Sequence, residues 1–184
     1  MLHSTFYSPN AVFMTEIYTY TVPLFIKSLG GLKTVLSKAE AHAREAGIAE
    51  ADFLADRLAP DMFPLVKQVQ VACDNAKGAT ARLAGIDIPK FDDTEQSFAE
   101  LQARIDKTIE FMQSVPEGAF EGAATRQIVL PYFPDKYMTG FDYVREYVLS
   151  NFFFHVVTAY ALVRKNGTPI GKADFANNPT FRDL

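Results

Sequence analysis

Asn151 and His155 stand four apart in "NFFFHVVTAYALVRKNG", residues 151–167, inside a run from Tyr147 to Val163 that carries no formal charge. On a helix that spacing puts both side chains on one face, one turn apart. Imidazole is the side chain whose ordinary pKa lies nearest neutrality, so it can move a proton at physiological pH, and it is also the commonest metal ligand. Gln68 borders the apolar stripe of an earlier helix, three residues after Leu65 and four before Ala72. Ligand and metal sites in helical bundles are built from inward side chains of different helices, and these three residues are candidates to converge. His155 is then the candidate acid or base, with Asn151 and Gln68 orienting a carbonyl or hydroxyl. Asp61, Tyr160 and Tyr18 are candidate partners of the imidazole, and Met62, Phe63 and Phe152 candidate apolar walls.

A plain packing role fits the same residue types. Buried polar groups must be paired, and Asn, Gln and His can pair with one another or with a backbone carbonyl. Zinc takes imidazole, thiolate or carboxylate, and neutral amides are poor ligands for it. His3 lies in the N-terminal stretch and His42 late in the first helix, among Glu40, Arg44 and Glu45, so neither extends the set. Cys73, five beyond Gln68 on the apolar stripe, reads as a buried, inert thiol.

Four helices are expected to position these groups. Residues 21–46 place Val22, Phe25, Ile26, Leu29, Leu32, Leu36 and Ala39 at three- and four-residue steps, with Pro23 in the opening turn and Gly47 as the stop. Gly30-Gly31 inside it predicts close packing against a neighbour. A short helical piece, "EADFLADRLA", leads to a second long helix with Asp61 as its N-cap and Gly85 as its end. A third runs from Thr94 to about Ser114; Ser97 follows Thr94 by three, so no capping box is expected there. "TRQIVLPYFPDKYMTG" predicts a small hairpin or ordered loop, and a fourth helix runs from about Phe141 to Asn166-Gly167. On that fourth helix Phe141, Val144, Val148, Asn151, Phe152, His155, Ala159 and Leu162 are expected on one face. Arg164 complements its negative end. The tail, "TPIGKADFANNPTFRDL", holds too many turn residues for another helix and is expected to pack Ile170 and Phe175 over the bundle. Gly171-Lys172 is a weak anion signal without a phosphate-cradling loop.

The chain has 184 residues, 48% of them hydrophobic, including 16 Phe, enough for one domain with a core that needs no staple. Net charge is −4 with basic residues scattered among acids, which argues against nucleic acid as a partner. One cysteine excludes an internal disulfide and suits a reducing, cytoplasmic setting. Residues 147–163 are too short and too polar for a membrane span, and no signal peptide is expected. The fold class is all-α: four long helices whose connections require a crossover. The fourth helix is apolar almost all round, so a homodimer through it is expected, with tail and hairpin as alternative cover.

The chain resembles the DinB/YfiT-like superfamily of four-helix bundles, whose fourth helix carries His-x-x-x-His, then Gly-Gln, then Leu-Arg and Gly. Here His155 matches the second His, Arg164 follows nine later and Gly167 twelve later, while Asn151 occupies the first His position. The third ligand of that superfamily is a His early in the second helix, and Gln68 stands nearest in register. More closely, "LAPDMFPLVKQVQVACDNAKGATARL", "NFFFHVVTAYALVRKNG" and "GKADF" resemble a bacterial and fungal branch classed as a domain of unknown function, over residues 14–176. Residues 1–13 then form an N-terminal arm and 177–184 a tail. The resemblance implies a DinB-like bundle. Its metal-dependent transferases, isomerases and hydrolases rely on three imidazoles, and here two are replaced by amides. No metal ligand set is carried over, and no cofactor is expected. Three readings stay open: a metal-free small-molecule site at His155, a structural or interaction protein without a site, and a divalent-metal enzyme recruiting Glu16 or Asp174.

Overall fold

Helix α1 (Val22–Ala46) opens with a proline in its first turn and ends at Gly47, whose φ of 67° is the left-handed conformation that glycine adopts without a Cβ clash. A short α2 (Glu50–Ala55) follows, then α3 (Leu65–Ala84), ended by Gly85 at φ 71°. Helix α4 (Phe98–Ser114) leads through two single 3₁₀ turns to an antiparallel hairpin, β1 (Gln127–Leu130) and β2 (Phe133–Thr139). Helix α5 (Gly140–Lys165) completes the bundle and α6 (Lys172–Ala176) lies in the tail. The computed structural model describes residues 16–177 and 180–182; the expected N-terminal arm lies outside them.

Side-chain pairs fix the helix directions. Lys33 meets Asp106 while Gln102 reaches Ser37, so α1 and α4 are antiparallel. Gln68 meets His155 and Arg82 meets Tyr143, so α3 and α5 are antiparallel as well. Phe25 packs on Phe152 and His42 bonds the Asn166 carbonyl, so α1 and α5 run parallel. Helices α3 and α4 therefore point the same way, and the chain between them must travel back the length of the bundle. Helix α3 has 20 residues, about 30 Å of axis at 1.5 Å per residue. Residues 85–97 make that return without helix or strand, which is the expected crossover.

Buried polar contacts hold the crossover down. Arg104, 3% exposed, donates to the Asp92 carbonyl and Glu95 and pairs with Asp74 and Asp93. Lys77 and Lys107 each place Nζ 4.1 Å from the centre of the Phe91 ring. A guanidinium this deep is tolerated because three carboxylates, Asp74, Asp93 and Glu95, surround its single positive charge, although its Nε–H has no hydrogen-bond partner among the described residues.

Four local expectations are corrected. Helix α3 begins at Leu65 with Pro64 before it, and Asp61 lies exposed in the preceding turn, where it caps nothing. Helix α4 begins at Phe98, not Thr94: the Ser97 hydroxyl accepts from Glu100 N at 3.1 Å, and the Glu100 carboxylate accepts from Gln96 N at 2.6 Å. The tail does form a helix, five residues long, because Asp174 accepts from the Gly171 amide and closes its first turn. Finally, Tyr143–Val148 is π-helical, with a wider turn than the α-helix. The three-and-four phase slips there, so Phe141 is 44% exposed while Tyr143 is buried.

The tail explains the paired glycines. A Cβ on Gly31 would lie 2.7 Å from the Phe175 carbonyl oxygen, and one on Gly30 2.9 Å from Asn177 Nδ2. Ile170 is buried and Phe175 packs edge-on against Tyr160, as expected of a tail folded over the bundle. Helix α5 is long and apolar enough to cross a membrane by length and composition alone, but 44% of its most apolar window is buried inside the bundle.

Candidate functional site

Gln68 and His155 meet across the α3–α5 interface, with Gln68 Oε1 2.7 Å from His155 Nδ1. Both side chains are buried, Gln68 at 1% and His155 at 7% exposure. The amide orientation follows from its other contact. Gln68 Nε2 donates to the Phe63 carbonyl at 3.0 Å, and a carbonyl can only accept, so the NH2 group faces Phe63 and the oxygen faces the imidazole. Nδ1 must then carry the proton. The ring is a neutral tautomer with its lone pair on Nε2.

That second nitrogen has no hydrogen-bond partner among the described residues, and it is not one of their buried side-chain atoms left unpaired. Burial pushes the imidazole pKa below its ordinary value, with no charged neighbour contributing. Two phenyl rings flank it: Phe63 lies nearly parallel at 24° with centroids 6.5 Å apart, and Phe154 stands at 90° at 5.2 Å. Both are about half exposed. Met62 is partly buried beside Phe63 in sequence, its carbonyl taken by Arg57.

Other expected members of the site sit elsewhere. Asn151 shares the α5 face with His155, but its Nδ2 donates to Asn75 Oδ1 at 2.9 Å. Asn75 was not singled out from sequence. Its position seven beyond Gln68, two turns along the same face of α3, was the available signal. Phe152 is fully buried against Phe25, 4.5 Å between centroids, and lines no opening. Tyr160 faces the tail and Phe175, because five residues carry it well round the helix from His155. Asp61 has no contact with the imidazole. Tyr18 packs on Phe120 at 5.2 Å. Cys73 is buried and its thiol pKa is pushed up to about 12 by desolvation, as expected of an inert group.

The carboxylates that the metal reading requires do not reach His155. Asp174 bonds Lys38 and the Gly171 amide, and Glu16 borders an apolar cleft of about 210 Å³ at the start of α5, with Ile17, Tyr20, Val144 and Leu149. Among the described residues, no three His, Cys, Asp or Glu side chains are grouped to hold a metal ion. The donors around His155 are one carboxamide oxygen, already bonded, and the imidazole itself. That set does not fit the three-imidazole centre which the resemblance implies.

Four helices with a returning crossover, a hairpin before the last helix and an inward imidazole on that helix define a DinB-like bundle. A crystal structure of a DinB family member from Shewanella denitrificans superimposes with a TM-score of 0.90 at 38% identity, covering 94% of this chain and 98% of that one. The family described as "Domain of unknown function (DUF1993)" matches residues 17–176, and the chain belongs to it. No curated protein sequence matches.

Proposed function

We propose that the protein binds or transforms a small molecule at His155 without a resident metal. The observation that carries this reading is the hydrogen-bond chain from the Phe63 carbonyl through Gln68 to Nδ1. It holds a neutral imidazole in one tautomer and leaves Nε2 free to accept a proton or hydrogen bond. A base positioned this way serves general base chemistry near neutral pH. Asn151 belongs to the neighbouring step of the same interface and steadies α5 through Asn75. The single cysteine, buried and with no second cysteine in the chain to pair with, suits a cytoplasmic setting.

One observation favours a structural reading instead. The Gln68–His155 and Asn75–Asn151 pairs satisfy much of their own hydrogen-bonding capacity, as a polar seam inside a bundle does. In that case the protein acts through a surface, and Phe141, Phe154 and Val157, exposed along α5, are where the expected homodimer forms.

Thermal shift against a library of cellular small molecules, run on the wild type and on His155→Phe, separates the two. Compounds that raise the wild-type Tm and leave the variant unmoved support the site. Equal shifts in both proteins overturn it.

A further inference from the structure

The apolar cleft at the start of α5 is a place separate from His155, with Arg145 on its wall ten residues earlier in the chain. Its volume is about 210 Å³. Ile17 and Val144 line it as buried side chains, Leu149 as a partly buried one, and Tyr20 and Phe141 as exposed aromatic ones. An apolar cavity of about 150 Å³ holds benzene, so this cleft has room for one ring and a short side chain. Val144 and Arg145 belong to the π-helical stretch, and turns of that kind recur at functional sites.

The charges around the cleft select the sign of a ligand. Arg145 forms its ion pairs with Asp142 and Glu146 and not with Glu16. Its single positive charge thus faces two negative ones. Glu16, also on the wall, adds a third, and no other Lys or Arg lines the cleft among the described residues. The positive end of the α5 dipole is offset by Asp142 in the first turn. A carboxylate ligand would have to draw Arg145 away from two acids, whereas an ammonium meets an excess of carboxylates. We propose that this cleft binds a small arylalkylamine, with the ring among Ile17, Val144 and Leu149 and the ammonium beside Glu16.

The test is an NMR titration of the full chain, reading the methyl resonances of Ile17, Val144 and Leu149, with four probes. 2-Phenylethylamine has ring and ammonium, 2-phenylethanol the ring without a charge, phenylacetate the opposite charge, and ethylamine no ring. The arylalkylamine is expected to bind roughly two- to fivefold tighter than the alcohol, the worth of an exposed ion pair. It should exceed phenylacetate by a larger factor, and ethylamine should leave the methyl resonances unmoved. Added salt should shrink the preference over the alcohol. Glu16→Gln, a change at an exposed position, should erase that preference and keep the affinity for the alcohol. His155→Phe should alter none of these affinities. If phenylacetate or the alcohol binds as tightly as the amine, or Glu16→Gln keeps the preference, the amine class is overturned. Silence of the three methyl groups with all four probes overturns the site itself.

Discussion

Gln68 and His155, 87 residues apart in the chain, lie 2.7 Å apart across the α3–α5 interface, and the amide between Phe63 and the imidazole decides which ring nitrogen is protonated. The pair joins sequence, fold and chemistry: two helices must run antiparallel in one register for the contact to exist. Four expectations follow from this arrangement and from the contacts that hold it.

Replacing Gln68 by Leu removes the acceptor of Nδ1–H and the donor to the Phe63 carbonyl. Stranding these groups should cost about 1–3 kcal/mol, measured by urea unfolding. Gln68→Glu offers a carboxylate instead, which favours the charged imidazole. The His155 pKa, below its ordinary value in the wild type, should then rise. A pH titration of its ring protons by NMR checks the direction.

The depressed His155 pKa also predicts a pH dependence of stability. The unfolded state binds its proton near 6.5 while the folded state still resists it. The contribution to stability is therefore complete above the unfolded value and is lost as pH falls from there through the folded value. Urea midpoints between pH 8 and pH 5 should decline, and His155→Phe should flatten that part of the curve.

Arg104→Met leaves Asp74, Asp93 and Glu95 without their shared cation beneath the crossover. The carboxylates left behind are partly solvated, and Asp74 and Asp93 keep Lys77 and Lys67, so the loss should be that of charged hydrogen bonds, about 1.5–3 kcal/mol, with a matching fall in Tm. Burial acts to raise the Asp93 pKa, and Lys67 and Arg104 outweigh it and hold the carboxyl below its ordinary value. This contribution is present at neutral pH and lost as pH falls through the folded value. The acid limb of the stability profile should accordingly be shallower in the variant.

Gly31→Ala puts a methyl group 2.7 Å from the Phe175 carbonyl. The backbone of the tail must move, and overpacking of this kind costs about 1–3 kcal/mol. Limited proteolysis should cut near residues 172–177 in the variant before it cuts the bundle. An uncut tail would contradict the packing seen here.

The long helices were legible because their apolar steps and glycine stops are local signals: Gly47 and Gly85 both end helices with positive φ. The convergence of His155 with Gln68 was legible too, since both lie on the inward faces of their helices. Their starts were harder. Pro64 and Ser97 precede α3 and α4, where Asp61 and Thr94 carried equally good capping chemistry, and the choice depends on tertiary contacts such as the Leu65 amide donating to the Asp56 carbonyl. The π-helical stretch has no signature in residue type, so the phase slip that exposes Phe141 and buries Tyr143 was invisible. Asn75 was missed for a related reason. Asn151 faced several amides at plausible depth, and only the register of two helices selects among them. Tyr160 and Phe152 share the helix with His155 but point to the tail and to α1, a difference of rotation that chemistry alone does not reveal.

The most direct test of the account is the protonation pattern of His155, read from its side-chain ¹⁵N shifts in uniformly labelled protein near pH 7.5. The account predicts a protonated Nδ1 and a bare Nε2 in the folded protein, with Gln68→Leu abolishing that preference. A ring protonated at Nε2, or one whose tautomer is indifferent to Gln68, would contradict it.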